Sequence, residues 1–337
     1  MRGSLAGMTA EGDGTHDVVA FAPASRRGRR QIEAALAGIP VERRLPVLPA
    51  AHLVRTAWSR IGAPAVERFV GHLDVFHFSD WMYPPQRRGI RSTMIHDLVP
   101  LQHPEWVHPR TRRMHSAKYR NAARTCDVVM VNSRFTANEV ADLLGVAEER
   151  IHVAWPGVDA SFRRDGERFD LGRPYVLTVA TLEPRKNLAT LVEGYRRRKP
   201  DDLALAVAGA PGWGERRLVD TPGLALLGYT PNDVLPQVYR GASVFVYPSL
   251  FEGFGMPILE AMACGVPCVV SSHPSLDEAC GDAAVRADPL DPDAITAAID
   301  LALATREELV PRGLEHARSF TWAANGRQHL AAWERAS

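Results

Sequence analysis

The sequence predicts an α/β protein built from two doubly wound, Rossmann-like domains that face each other across a cleft. The chain has 337 residues, a length that suits two domains of about 150 residues each. Short apolar runs recur in both halves, and continuous runs of this kind are typical of parallel strands covered on both faces. Residues 159–174 are rich in glycine, proline and charge, have no periodicity, and predict a linker between the halves.

The first half contains five predicted strands with helical patterns between them. They are VVAFAP (18–23), DVFHFS (74–79), STMIH (92–96), DVVMVNS (127–133) and IHVAW (151–155). A helix is predicted over residues 134–144, with Ser133 as its N-cap. We therefore assign residues 1–158 to an amino-terminal domain, and we expect its polar, glycine-rich residues 1–16 to be disordered.

The second half repeats this organisation. Its predicted strands are YVLTVA (175–180), LALAVAG (203–209), LALLGY (224–229), SVFVYPS (243–249) and PCVVSS (267–272). Residues 175–319 are predicted to form a carboxyl-terminal domain of the same α/β type. The last segment, 320–337, has an amphipathic pattern and predicts a final helix.

Composition and charge argue against several classes of function. The formal net charge is +1, so no bulk field favours nucleic acid. No apolar run approaches the ~18–20 residues of a membrane span, and no signal peptide is visible. Four cysteines lack zinc spacing and the density of a disulfide scaffold, which predicts free thiols and a cytoplasmic protein.

Lysine is scarce in this chain. Only three of the 40 basic residues are lysines, at positions 118, 186 and 199. We interpret the arginine bias as the consequence of a GC-rich genome. A lysine that persists against this bias indicates a place where a compact ammonium is required.

Two basic residues follow the first strand of the second half. Ligands of doubly wound sheets bind outside the carboxyl ends of the strands. Arg185 and Lys186 lie there, just before a helix that Asn187 can cap. Two cations beside a helix N-terminus form an anion site, although a solvated basic turn has the same composition.

The stretch FEGFGMPILE (251–260) follows a later strand of this half. Gly253 and Gly255 allow a ligand to approach the backbone closely. A proline next to Met256 suits the first turn of a helix. The free amides near Phe254, Gly255 and Met256 would therefore point at a phosphate.

Two glutamates, Glu252 and Glu260, flank this turn. Glu260 lies about 6 Å along the helix, near the distance from a diphosphate to its ribose, and a carboxylate there can accept hydrogen bonds from ribose hydroxyls. Glu252 precedes the helix, on the side where a sugar would lie. The alternative is that both carboxylates only favour the positive end of the helix.

The stretch from VATLEPRKN to ADPLDPDAI resembles the donor half of the family 4 glycosyltransferases, which are retaining enzymes of the GT-B fold. The resemblance is dense over residues 175–297 and carries the family's signature of two glutamates separated by seven residues, here Glu252 and Glu260. A weaker match covers MIHDLVPLQHPEWV (94–107), VVMVNSRFT (128–136) and WPGVD (155–159). The EPRKN sequence is typical of one branch of the family.

The resemblance implies four catalytic residues. Lys186 neutralises the departing diphosphate, and Arg185 is its partner. Glu252 binds hydroxyls of the donor sugar. His96 is similar to the histidine that faces the transferred sugar across the cleft.

The resemblance also implies a set of donor contacts. The backbone of residues 253–256 would touch sugar or phosphate, and Glu260 would hold the ribose. Loops near residues 209–213 and at Tyr229 would contact the nucleobase. Thr181 stands where many relatives have an arginine, whose charge Arg185 would replace. Relatives use the final helix to cross back onto the first domain.

The acceptor side departs from the family pattern. Many relatives have two glycines after the first strand, whereas this loop reads APASRRGRR and contains only Gly28. The basic SRRGRR stretch (25–30) has three interpretations: acceptor binding, a solvated face, or peripheral contact with an anionic membrane.

The predicted reaction is transfer of a hexose from a nucleoside-diphosphate sugar, with UDP ahead of GDP and dTDP. The acceptor is expected to be a small molecule or an oligosaccharide, and the actinomycete-like composition fits antibiotic or cell-surface oligosaccharide assembly. No cofactor or metal is expected, because protein cations would stabilise the diphosphate. The DPD triad (Asp291, Pro292, Asp293) resembles a metal motif of other glycosyltransferases, but it precedes a predicted helix, where a capping role is favoured. No carboxylate pair is placed for double displacement, so retention implies same-face attack.

The alternative functions are those of a non-catalytic nucleotide-sugar-binding subunit and of another GT-B enzyme such as an epimerase.

Overall fold

The computed structural model describes residues 2–11, 16–48, 57–58, 62–78, 83–198, 203–210 and 222–337. The chain divides into two compact units. The first contains residues 1–157 and 321–337, and the second contains residues 158–320. The segment expected to be a linker, 159–174, is thus grouped with the second unit, and the final helix is grouped with the first.

The first unit is an α/β structure in which all the strand pairs are parallel. Its strands are β1 (Val19–Phe21), β2 (Glu42–Arg44), β3 (Val75–Phe78), β4 (Ile90–Ile95), β5 (Val128–Val131) and β6 (Ile151–Val153). Strands β1 and β2 pair with each other, and the other four form a sheet in the order β3-β4-β5-β6. The five predicted strands are confirmed. Strand β2 was not predicted because its three residues are all charged.

The described part of this unit also contains seven α-helices. They are α1 (Arg2–Glu11), α2 (Arg26–Ala35), α3 (Glu67–Val70), α4 (Val99–Gln102), α5 (Pro109–Thr125) and α6 (Arg134–Leu144), together with the last helix of the chain, α13 (Trp322–Ala336). Helix α6 begins where predicted, since the Ser133 side chain accepts from the Thr136 amide over 2.9 Å. The stretch 25–30 enters α2, which Ser25 caps and which has no buried residue.

The second unit contains one six-stranded parallel sheet. Its strands are β7 (Tyr175–Val179), β8 (Ala204–Ala208), β9 (Leu224–Gly228), β10 (Val244–Tyr247), β11 (Cys268–Ser271) and β12 (Ala284–Ala287). The order is β12-β11-β10-β7-β8-β9, so the direction of winding reverses between the central strands β7 and β10. This is the doubly wound arrangement that the sequence predicted. Strand β12 was missed because its short AVRA run contains an arginine.

The described part of the second unit has six α-helices, and a short 3₁₀ turn precedes the first of them. They are α7 (Leu188–Arg197), α8 (Leu235–Gly241), α9 (Met256–Ala263), α10 (Asp277–Cys280), α11 (Pro292–Ala304), α12 (Arg306–Arg318) and the 3₁₀ turn Pro184–Lys186. Buried aliphatic residues of α7 and α11 pack on the sheet around Leu205 and Val246. The four cysteines are free and buried, as predicted. No helix within the described ranges is long and apolar enough to cross a membrane.

The expectation that residues 1–16 are disordered is wrong for residues 2–11, which form α1 against α13. The glycines that suggested disorder are what permit this contact. A Cβ on Gly3 would lie 2.1 Å from the Trp322 ring, and one on Gly7 would lie 1.8 Å from the Trp322 carbonyl oxygen. Gly326 of α13 approaches Gly7 in the same way. Residues 12–15 lie outside the described residues.

We expect Gly7→Ala to lower the free energy of unfolding by about 1–3 kcal/mol, because the added methyl group forces α1 and α13 apart. Gly28→Ala in α2 is the matched control, since its Cβ would meet nothing closer than 3.4 Å. We expect that control to be neutral or to stabilise the protein by up to ~1 kcal/mol. Urea unfolding of both variants measures the difference, and equal effects would contradict the close helix contact.

Candidate donor site at the switch point of the second sheet

The site is formed by the loops that leave β7 and β10. These two strands are neighbours in the sheet, and the winding reverses between them. In doubly wound sheets, the crevice at this reversal is the usual ligand position. The backbone joins the two loops directly, because the Leu250 amide donates to the Arg185 carbonyl over 2.9 Å.

Asn187 fastens the first loop to its surroundings. The residue lies at the N-cap position of α7 with a φ of 54°, but its side chain does not cap the helix as predicted. Its Nδ2 instead donates to the carbonyls of Pro248, over 3.2 Å, and Pro289, over 2.6 Å. These bonds link the loop to the carboxyl ends of β10 and β12 and hold Arg185 and Lys186 against the second loop.

Arg185, Lys186 and Glu252 form one buried ion network. The Lys186 ammonium lies 2.5 Å from Oε1 of Glu252, and an Arg185 guanidinium nitrogen lies 2.6 Å from Oε2. Arg185 also contacts Glu183 over 3.2 Å. Lys186 is 8% exposed and Glu252 is 7% exposed. The structure thus brings together three of the four residues that the sequence singled out for catalysis.

The pKa values of this network favour its charged form. Burial alone would raise the pKa of Glu252, but the charges of Lys186 and Arg185 lower it below its ordinary value. Burial alone would lower the pKa of Lys186, but Tyr247 and Glu252 raise it. The site therefore keeps two cations and one carboxylate near neutral pH.

Tyr247 is a member of the network that sequence reasoning missed. Its hydroxyl accepts from the Lys186 ammonium over 2.8 Å and donates to Oε1 of Glu252 over 3.0 Å. The Glu252 amide donates to the Ser275 hydroxyl over 3.1 Å. The signal was weak, because Tyr247 closes the apolar run of β10 and resembles a packing residue. Its ring is indeed buried, and the Lys186 ammonium lies over that ring, 5.1 Å from its centre.

The glycine-rich turn begins α9 as predicted. Gly255 has a φ of 106° and occupies the N-cap position, and no side chain caps the helix. A Cβ there would lie 2.9 Å from the Leu276 side chain, so glycine meets both a conformational and a steric requirement. Phe254 is 2% exposed and packs on Phe320. Its side chain belongs to the core, which leaves the backbone as the group available to a ligand.

Glu260 lies in the second turn of α9 and has a different environment from Glu252. Its Oε2 accepts from the Tyr239 hydroxyl over 2.9 Å. Burial and the nearby Asp159 carboxylate raise the pKa of Glu260 to about 7, although the Tyr239 hydrogen bond lowers it. None of the ion pairs found among the described residues includes Glu260, which separates it from the Lys186 network.

The remaining candidate residues lie at strand ends. Thr181 is half-buried and follows β7, and Tyr229 follows β9 with 71% of its surface exposed. His96 is exposed and follows β4 in the first unit, and its predicted role stays a prediction. Gly209 directly follows β8, and a Cβ there would lie 2.0 Å from the Ala180 carbonyl oxygen. The rest of its loop, from residue 211 onward, lies outside the described residues.

The DPD triad has the capping role that was predicted. Asp291 accepts from the amides of Asp293, over 2.8 Å, and Ala294, over 3.2 Å, at the start of α11. Within the ranges that the structure describes, no group of three or more His, Cys, Asp or Glu residues has the geometry of a metal site.

Two family models match the chain. The model described as Glycosyltransferase Family 4 matches residues 7–162, and the model described as Glycosyl transferases group 1 matches residues 159–318. Together they account for most of both units, and their meeting point lies close to the division between the units at residues 157 and 158.

Named relatives and a solved structure agree with these matches. O-antigen chain mannosyltransferase B of Escherichia coli is 33% identical over 77% of this chain and 74% of its own length. The serotype-specific mannosyltransferase WbdA of Escherichia coli is 30% identical over 78% of this chain, which spans only 35% of that protein. The structure of Anabaena HepE in complex with UDP superposes with a TM-score of 0.68 at 16% identity, covering 99% of this chain and 96% of HepE.

Proposed function

Since the chain belongs to glycosyltransferase family 4 and uses a nucleotide-sugar donor within a GT-B fold, we propose that it transfers a hexose from a UDP-sugar to an oligosaccharide with retention at the anomeric carbon. The donor would bind at the switch point of the second unit. The observation that carries this proposal is the convergence of Arg185, Lys186 and Glu252 at that point.

The two cations suit a diphosphate leaving group. Glu252 holds Lys186 and Arg185 at the strand ends before any ligand arrives, so their charges already lie where negative charge would develop on the diphosphate. The uncapped N-terminus of α9 adds amide donors beside them. Protein groups would then do the work of a metal ion, and we propose that the reaction needs neither a metal nor a cofactor.

The remaining steps of the reaction would be carried out by Glu252, which binds the donor sugar, and by the departing phosphate, which takes the acceptor proton. Glu252 would accept hydrogen bonds from donor-sugar hydroxyls and fix the sugar above the diphosphate. As the anomeric C–O bond to the phosphate breaks, the acceptor oxygen would attack from the same face and pass its proton to the phosphate oxygen that leaves. This course needs no enzymic nucleophile.

The names of the relatives favour particular substrates. Mannose is the first sugar to test, because two relatives are named mannosyltransferases. The name of the O-antigen relative favours a cell-surface oligosaccharide as acceptor over an antibiotic oligosaccharide. UDP remains the first nucleotide to test because HepE was solved with it, and GDP and dTDP should be tested beside it.

A nucleotide panel tests the donor assignment. We expect one of UDP, GDP and dTDP to raise the unfolding temperature in EDTA, since a ligand at 100 times its dissociation constant adds about 2.7 kcal/mol of stability. Sugar release from the matching sugar nucleotides, with and without oligosaccharide, then measures catalysis, and NMR of the product reports the anomer. Absence of binding at millimolar concentration would refute the donor site. Binding without any sugar release would instead indicate a non-catalytic subunit.

A further inference from the structure

The contact between Tyr239 and Glu260 is isolated from the ion network. The Tyr239 hydroxyl donates to Oε2 of Glu260 over 2.9 Å. In the part of the chain that the structure describes, no other hydrogen bond involves either side chain. Tyr239 has no exposed surface, so its hydroxyl has no access to water as a substitute partner.

The ring of Tyr239 is fixed by aromatic neighbours. It stands edge-on to Phe162 with the ring centres 5.7 Å apart, and it is tilted against Phe245 at 5.5 Å. Such contacts restrict a buried ring to one orientation. The position of the hydroxyl is therefore determined by the packing of α8, and the hydroxyl in turn selects the orientation of the Glu260 carboxyl group.

Among the described residues, none of the groups that shift the pKa of Glu260 is a cation. Tyr239 faces it from α8, Asp159 faces it from the start of the unit, and Cys264 lies one turn further along α9. Burial and Asp159 together raise the pKa of Glu260 to about 7. The Tyr239 hydrogen bond opposes this rise because it stabilises the ionised carboxylate.

We propose that Tyr239 is a positioning residue that holds the carboxylate of Glu260 ready for the ribose hydroxyls of the donor. This inference rests on the proposed function, which assigns the ribose to Glu260. A tyrosine hydroxyl donates one proton and occupies one acceptor position on Oε2, which leaves Oε1 free for the vicinal hydroxyls. Without Tyr239, the carboxyl group would turn and retain its proton, and a protonated carboxyl group is the weaker acceptor.

The role of Tyr239 is measured as a ratio of two affinities, that for a ribonucleotide divided by that for its 2′-deoxy counterpart. UDP and GDP are titrated calorimetrically beside their 2′-deoxy counterparts, and the tighter pair is used. We expect the wild type to favour the ribose form by about ten- to a hundredfold, the range of one hydrogen bond to a charged group. In Tyr239→Phe this ratio should fall by about tenfold at pH 7 and recover by pH 9, where Glu260 is ionised without help.

Two further variants separate positioning from packing. Tyr195→Phe removes another buried hydroxyl of this unit, one that donates to the Leu203 carbonyl over 2.9 Å, and it should leave the ratio unchanged. Glu260→Gln should lower the ratio and remove its pH dependence. In the Glu260→Gln background, Tyr239→Phe should have no additional effect if Tyr239 acts through Glu260.

Two results would overturn the inference. An unchanged ratio in Tyr239→Phe would remove the positioning role, and if the affinities for both nucleotides fell equally, the loss would assign Tyr239 to packing alone. If the wild type binds the nucleotide but does not prefer the ribose form, the assignment of Glu260 to the ribose is wrong, although the donor site itself still stands. A wild type that binds no nucleotide would refute the proposed function first, so the two failures are distinguishable.

Discussion

Lys186→Ala is expected to abolish the stabilisation that a nucleoside diphosphate gives to the protein and to slow sugar transfer by about 10²- to 10³-fold, the usual effect of removing one preorganised electrostatic group. Lys186 is held by Tyr247 and Glu252 at 2.8 and 2.5 Å, so its ammonium is already placed at the strand ends. Transfer rates and thermal shifts with the binding nucleotide measure both effects.

The control for this variant is a cation of the same unit outside the site. Arg197 lies at the end of α7 and pairs with Glu193 and Asp293 on the surface, and Arg197→Ala should change neither binding nor transfer. Lys186→Arg should lose nucleotide binding and transfer nearly as completely as Lys186→Ala, because the space between Tyr247 and Glu252 suits a compact ammonium. If Lys186→Ala still binds the nucleotide, Lys186 does not bind the diphosphate.

Glu252→Gln is expected to have opposite effects on binding and on reaction. In the free protein the Glu252 carboxylate occupies both cations that a diphosphate would use. An amide competes for them far less, so the free nucleoside diphosphate should bind about tenfold more tightly, as expected for the release of charge-assisted hydrogen bonds. Transfer should fall by at least ~10²-fold, because the sugar loses its carboxylate acceptor.

The stability of Glu252→Gln gives a second readout. Removing one member of a buried ion pair leaves uncompensated charge and typically costs about 3–5 kcal/mol, and an added nucleoside diphosphate should restore much of that loss. Glu183→Gln is the matched control, since the only ion pair of Glu183 among the described residues is with Arg185, over 3.2 Å. If Glu252→Gln weakens nucleotide binding as Lys186→Ala does, the carboxylate organises the site and does not compete with the ligand.

The fold was readable from the sequence because buried parallel strands are continuous apolar runs. Ten such runs were predicted and observed, whereas β2, with the sequence ERR, and β12, with AVRA, contain charges and were missed. The helix of residues 2–11 was missed for a related reason. Its glycines reduce helix propensity locally, and only the tertiary contact with Trp322 and Gly326 shows why they are there.

The site was readable where chemistry and spacing coincide. Two cations before a helix and two glutamates around a glycine turn indicated a phosphate site, and Arg185, Lys186 and Glu252 do meet. Their direct pairing with one another was not predicted, because a sequence does not reveal which charges satisfy each other without a ligand. Tyr239 and Tyr247 could not be identified from the sequence, since a tyrosine within an apolar segment has the same pattern whether or not its hydroxyl donates to a carboxylate.

Helix α13 has a consequence for how the protein is made on the ribosome. Its Asn325 donates to the carbonyls of Ala154 and Trp155, and its Gln328 accepts from the Trp155 amide. These bonds join residues about 170 positions apart in the chain. At about 5–20 residues per second of synthesis, the strands of the first unit wait roughly 10–30 s for their last helix. The unit encoded second can therefore complete its fold before the unit encoded first.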